Sequence, residues 1–286
     1  ELHPVEAVKT NVLGTRIVAE AAAKFGVGRF VLISSDKAVR PTNVMGATKR
    51  VAELVIHNIA NREGPTVFVA VRFGNVLDSV GSVIPIFRRQ LVTTGKLTVT
   101  HAEASRYFML IPEAAGLILQ AGAMGEGGEV FVLDMGEPVK IVDLAKNLIR
   151  LSGKELGVDA EIVYTGLRPG EKLHEELIVE GEDVSGTDHP KVMKLIGGER
   201  IPPSWPKRLE ELIVCAITGE RCGVVEKLDA LVKGYRPDYE FHGVPAAATP
   251  GAAGPSTAPA GDSDSDSAPD SPPRPPTIAS PSKSVH

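Results

Sequence analysis

Residues 29–49 read Arg-Phe-Val-Leu-Ile-Ser-Ser-Asp-Lys-Ala-Val-Arg-Pro-Thr-Asn-Val-Met-Gly-Ala-Thr-Lys. The first six form a short apolar run, the pattern of a strand buried on both faces of a parallel sheet. Polar residues follow at once, and Asn43 stands where a helix N-cap is wanted, ahead of a helix expected over 43–62. Upstream, Val8, Val12, Ile17, Ala21 and Ala22 keep a helical period over 5–24, which Gly26 closes. Downstream, residues 66–72 are a second β-rich run. Helix, strand, helix, strand with short connections predicts an α/β fold built on a parallel sheet with crossover helices.

Beyond Gly74 the pattern loosens. Helices are expected at 83–94, 112–123, 141–151, 171–177, 206–217 and 222–233, and strands at 97–100, 106–111, 129–133 and 161–164. This portion reads as a smaller mixed α/β lobe, mainly residues 75–242, packed on the sheet. Residues 243–286 differ in kind. They hold 10 of the chain's 22 prolines, no Phe, Trp or Tyr, and an alternating Asp-Ser run over 262–267. Such a composition cannot bury enough apolar surface to offset its ordering entropy, so a disordered tail is expected there and a folded domain over 1–242.

Composition excludes several classes. The 286 residues carry 31 Lys and Arg against 36 Asp and Glu, a formal charge of −5 with no basic stripe, which argues against nucleic-acid binding. No run of about 18 apolar residues is present to span a bilayer. The two cysteines, Cys215 and Cys222, build neither a disulfide scaffold nor a metal site, and His57, His101, His174 and His189 show no paired ligand spacing. No metal is expected.

The chemistry concentrates at the end of the first strand. In open α/β sheets, ligands bind beyond the carboxyl ends of the strands, and Ser34, Ser35, Asp36 and Lys37 stand there. An adjacent acid and base suit proton transfer in both directions, although an isolated Asp-Lys pair is also an ordinary loop feature. Gly81-Ser82-Val83 at a helix start would offer backbone N–H groups to a pyrophosphate, or simply open the helix. Arg168, Glu171 and Lys172 would grip phosphate and ribose, or merely decorate the Pro169-Gly170 turn. Asn75 reads as a substrate ligand or a turn cap, and Arg106 as a diphosphate contact or an exposed strand-edge residue. No Gly-x-Gly-x-x-Gly lies between a strand and a helix, so either no dinucleotide is bound or the first half of the fold is absent. The start without Met, straight into a helix, suggests an N-terminally incomplete sequence.

Met45-Gly-Ala-Thr-Lys49 has the spacing of Tyr-x-x-x-Lys and resembles the extended short-chain dehydrogenase/reductase superfamily, with Met at the Tyr position. Asn11-Val-Leu-Gly-Thr15, Ser35-Asp-Lys-Ala38, Pro41-Thr-Asn43, Arg72-Phe-Gly-Asn-Val76, Gly81-Ser-Val-Ile-Pro85, Ser105-Arg-Tyr-Phe-Met109 and Arg168-Pro-Gly-Glu-Lys172 follow in order. Together, over roughly 1–242, they resemble the polysaccharide-biosynthesis nucleotide-sugar dehydratases, specifically UDP-N-acetylglucosamine 4,6-dehydratases. The Met at the Tyr position is similar to the large membrane-anchored branch of that family.

The resemblance implies a Rossmann-like sheet and a UDP-sugar substrate, with NAD rather than NADP as cofactor. NAD would oxidise carbon 4 of the sugar and later reduce carbon 6. Lys37 would remove the carbon-5 proton while Asp36 protonates the departing carbon-6 hydroxyl. Lys49 would bind nicotinamide ribose, with Ser34 beside the cofactor. Ser35, or a water held by Asp36 or Lys49, would replace the missing Tyr. Asn75, Ser82, Val83, Arg106, Arg168 and Glu171 would hold the substrate. Helices 5–24 and 43–62 would pair in a homo-oligomer, at the cytoplasmic face of the inner membrane or in the cytoplasm. The alternatives are a nucleotide-sugar 4-epimerase, which needs the Tyr, and a non-catalytic sugar-nucleotide-binding protein.

Overall fold

The computed structural model describes residues 1–62, 64–178, 182–197 and 201–242. The expected disordered tail over 243–286 lies outside the described residues. Helix α1 (Pro4–Val8) runs through a π-helical turn (Lys9–Leu13) into α2 (Gly14–Lys24), so the single expected helix carries a register change. Strand β1 (Arg29–Ile33), α3 (Val44–Ala60) and β2 (Val67–Arg72) follow as expected. Next come β3 (Asn75–Val76), α4 (Val83–Thr93), β4 (Lys96–Val99), β5 (Ser105–Arg106), β6 (Phe108–Met109) and α5 (Ile111–Met124). Then β7 (Val130–Leu133), β8 (Val139–Lys140), α6 (Ile141–Leu151), β9 (Glu161–Tyr164), β10 (Val184–Gly186) and β11 (Val192–Leu195) complete the strands. The chain continues with α7 (Trp205–Thr218), α8 (Arg221–Leu231) and the short α9 (Tyr239–His242).

Among the described residues the main sheet has the order β1-β2-β7-β11-β10. β1, β2 and β7 are parallel, and β11 closes antiparallel on β7. The alternation of β2 explains the layering. Phe68 and Ala70 pack with α1, α2, α3, α7 and α8 on one face, whereas Val69 and Val71 pack against α5 residues Ala114, Leu117 and Ala121 on the other. Helices on both faces give the Rossmann-like architecture. A separate cluster of Phe87, Leu91, Leu97, Val99, Val142 and Ile149 joins α4, α6 and the parallel β4–β9 pair.

Two expectations are corrected. The single strand over 106–111 is two short pieces, because β5 pairs with β8 and β6 with β3. The helix over 171–177 does not form. Tertiary bonds stretch that segment instead. Gly170 (φ +72°) accepts from Thr42 Oγ1 and Asn43 Nδ2, Lys172 Nζ donates to Val39 O, and Ser105 N donates to Leu173 O.

One buried network ties the layers together. Arg72, at the end of β2, donates from Nε and Nη2 to Glu53 Oε1 and Oε2 of α3 at 2.8 and 2.9 Å. Glu53 also accepts from Arg50 at 2.8 Å and from Ser34 Oγ at 2.5 Å. Burial opposes its charge, but the Arg72 guanidinium prevails and holds the carboxyl at about 2 against an ordinary 4.5. Asn43 caps α3 by accepting from Gly46 N at 2.7 Å. Gly46 itself touches the preceding turn, where an added Cβ would lie 2.1 Å from Lys37 O.

The ionised form of Glu53 is the one the fold favours, so its contribution is complete above pH 4.5 and is lost as the pH falls toward 2. Glu53→Gln is expected to cost about 3–5 kcal/mol at neutral pH and to flatten the acid limb of stability in that window, as read by urea unfolding at several pH values. Gly46→Ala is expected to cost about 1–3 kcal/mol by forcing the Lys37 turn off the helix, measured the same way.

Candidate active site

The site grows from the carboxyl ends of β1 and β2. Ser34 N donates to Val71 O and Asp36 N to Phe73 O, so the ladder continues past the strands and delivers the next residues at its end. Ser35 then caps a 3₁₀ turn over Asp36–Ala38, its Oγ accepting from Lys37 N. The same hydroxyl donates to Asp36 Oδ1 at 2.8 Å. Asp36 is fully buried, and Lys37 Nζ donates to its Oδ1 at 3.0 Å. Lys37 Nζ also donates to Asn75 Oδ1 at 3.3 Å and lies 3.7 Å from Glu175 Oε1. A fixed acid, a fixed amine and a buried second carboxylate therefore share one small volume.

Beside this cluster lies a cavity of about 520 Å³. Asn75, Ser82, Val83, Arg106, Arg168 and Glu171, expected from sequence to bind substrate, all line it. Ser82 Oγ is buried and has no hydrogen-bond partner among the described residues, at the start of α4, where the N–H groups of Val83 and Ile84 have no intrahelical acceptor. Arg168 sits exposed on the cavity wall. Glu171 is already engaged. Its Oε1 accepts from Arg106 Nη2 at 2.9 Å and from Thr100 Oγ1 at 3.0 Å, and its Oε2 from Arg168 N at 3.2 Å.

The residues expected on the cofactor side separate. Lys49 Nζ donates to Ile33 O at 3.1 Å, and burial lowers the pKa of its ammonium. It stands one helical turn from the half-exposed Met45. Ser34 is buried, with its hydroxyl donated to Glu53 rather than turned to the site. A thioether accepts no proton at useful strength, so Met45 offers neither acid nor base. Tyr107 lies near Asp36, but burial pushes its hydroxyl up, away from service as a base.

Glu175 was not anticipated. It is 7% exposed, and burial raises its carboxyl above the ordinary range. The signal was the acidic pair after Lys172, hidden by reading 171–177 as a helix. No group of three or more His, Cys, Asp or Glu able to hold a metal occurs among the described residues, and no helix among them is long and apolar enough to cross a membrane.

The chain has counterparts among known proteins. The chain is 62% identical over 182 residues to the capsular polysaccharide biosynthesis protein CapD of Staphylococcus aureus, a match covering 64% of this chain and 30% of that one. It thus spans about a third of the length of that curated relative. Among solved structures, Pen from Bacillus thuringiensis is 38% identical with a TM-score of 0.63, covering 68% of this chain and 61% of that one. The NAD-dependent NDP-hexosamine 5,6-dehydratase TunA shares the fold at 19% identity and a TM-score of 0.51, covering 59% of this chain and 60% of that one. The family model described as polysaccharide biosynthesis protein matches residues 1–196. That stretch takes in the strand-end turn, the α4 cavity and the Arg168–Glu175 segment alike, and the chain belongs to the polysaccharide biosynthesis protein family.

Proposed function

We propose that the protein acts as a nucleotide-sugar 4,6-dehydratase on UDP-N-acetylglucosamine, with NAD, in polysaccharide synthesis. The observation that carries this reading is the pairing of fully buried Asp36 with Lys37 at 3.0 Å beside a cavity fit for a nucleotide diphosphate. An epimerase needs a base at carbon 4 and no elimination pair. Oxidation at carbon 4 needs such a base in both reactions, so Met45 does not separate them; the elimination pair that this chain holds favours the dehydratase.

NAD, when bound, would supply the oxidation at carbon 4 and the later reduction at carbon 6. The part-buried Lys49 ammonium at the end of β1 suits the hydroxyls of its nicotinamide ribose. The resulting ketone acidifies the proton at carbon 5. Lys37 removes that proton as a neutral amine, and Asp36 delivers one to the leaving hydroxyl. Asn75 positions the amine through its 3.3 Å bond. Ser82 and the N–H groups at the start of α4 receive the diphosphate, with Arg168 closing over it from the opposite loop.

In the protein as its gene encodes it, incubation with UDP-N-acetylglucosamine in deuterated water is expected to release one water and place deuterium at carbon 5, followed by NMR and mass spectrometry. Lys37→Ala and Asp36→Asn should each lower that rate by about 10²–10⁴-fold. Interconversion of sugar epimers without loss of water would instead mark an epimerase, and binding without turnover a non-catalytic protein. Arg168→Ala and Ser82→Ala should each weaken UDP binding by roughly tenfold, about 1.4 kcal/mol, in titration calorimetry.

A further inference from the structure

The dehydratase reading leaves a proton without a place. Oxidation of carbon 4 releases the hydroxyl proton into a pair that already holds one, on Lys37. With Asp36 and Lys37 both protonated, an acid is ready for the leaving hydroxyl, but no base remains for carbon 5. A third group must take one proton and later give it back.

Glu175 stands where that group is needed. Its Oε1 lies 3.7 Å from Lys37 Nζ and 3.9 Å from Arg106 Nε, and its Oε2 has no hydrogen-bond partner among the described residues. An ammonium has three N–H donors. Two of those on Lys37 go to Asp36 and Asn75, and Glu175 is the next acceptor around it. The charged groups facing Glu175 are Lys37 and Asp36 from the strand-end turn, Arg106 from β5 and Lys172 from its own segment. Burial raises its carboxyl most strongly and Asp36 adds to that, while Lys37, Arg106 and Lys172 pull it back. A carboxylate in this setting is a better proton acceptor than an exposed one.

We propose that Glu175 is the proton store for Lys37, a positioning residue that takes the ammonium's proton before carbon 5 is attacked and returns it when the cycle closes. This rests on the dehydratase reading. The cycle starts from Asp36 carboxylate, Lys37 ammonium and Glu175 carboxylate. As the ketone forms, the carbon-4 hydroxyl proton passes to Ser35 Oγ, which hands its own to Asp36 across the 2.8 Å bond. Lys37 gives a proton to Glu175 and becomes a neutral amine. That amine takes the carbon-5 proton. The C–H electron pair becomes the carbon 5–carbon 6 double bond, the carbon 6–oxygen bond breaks, and the oxygen leaves as water with the Asp36 proton. As carbon 6 is reduced, with the hydride that a bound nicotinamide cofactor would supply, the Lys37 ammonium protonates carbon 5. Glu175 then restores Lys37, and all three groups are as they began.

Two assays on the gene-encoded protein separate this role from a structural one. The first follows dehydration of UDP-N-acetylglucosamine against pH. The second gives the protein the 4-keto-6-deoxy product in deuterated water and follows exchange at carbon 5. In that exchange no carbon-4 proton is released, so empty Asp36 serves as acceptor for Lys37. Glu175→Gln is expected to slow dehydration by at least about tenfold, with activity recovering as pH rises, and to leave exchange within about threefold of wild type. Glu175→Asp, which keeps the acid, is expected to retain most dehydration. Unchanged dehydration and pH profile in Glu175→Gln would overturn the assignment, as would equal losses in both assays or a loss in Glu175→Asp as large as in Glu175→Gln. Wild-type protein that exchanges or binds but never dehydrates would overturn the dehydratase reading itself, and this assignment with it.

Discussion

The rest of the structure hangs on the buried pair of Arg72 and Glu53. A guanidinium and a carboxylate, each about 1% exposed, are costly to take from water unless every bond is met. Here the pair is bidentate and Glu53 collects Arg50 and Ser34 as further donors, while the third nitrogen, Arg72 Nη1, makes no hydrogen bond among the described residues and lies 3.7 Å from Glu182 Oε2. Because the partners come from β2, α3 and the end of β1, the pair fixes three elements at one point. The turn that carries Asp36 and Lys37 leaves that point two residues later. Its geometry is therefore inherited from a core interaction rather than from the loop's own preferences, which is what a proton-transferring pair requires.

The sequence made the first half of this arrangement legible. β1 lies within the apolar run 29–34, Asn43 caps α3 as its type and place suggest, and β2 matches its β-rich run. The six residues expected at the substrate line one cavity, although they come from four separate segments. Motif order grouped them, since spacing alone left an ordinary turn or cap open for most of them. What stayed hidden depends on distant partners. β10 and β11 are short, and Lys194 within β11 masks their apolar signal until β7 pairs beside them. The 171–177 segment has helix-forming residues, yet bonds to Thr42, Asn43, Val39 and Ser105 draw it out. Glu175 was lost with it, because its neighbours are set by that extended path.

The site is divided by charge. Toward the strand ends, carboxylates gather around one amine, an arrangement suited to moving protons. Toward α4, the uncommitted groups are backbone N–H, a buried hydroxyl and an arginine, an arrangement suited to holding an anion. Arg106 spans the two, with one nitrogen on Glu171 and another near Glu175. A guanidinium thus stands between the carboxylates at the strand ends and the cavity wall at α4, which shields an anion held at α4 from those carboxylates.

The parallel pairing of β4 with β9 has a kinetic meaning. These strands are far apart along the chain, and α4 and α6 share a core only once the two have met. A parallel contact of this span requires a large loop to close before any bond rewards it. The local helix–strand–helix unit at the start of the chain has no such obstacle. On loop-closure grounds the β4–β9 pairing is expected to form after the shorter parallel β1–β2 pairing that holds the strand-end turn, so the cavity wall assembles around a turn already in position.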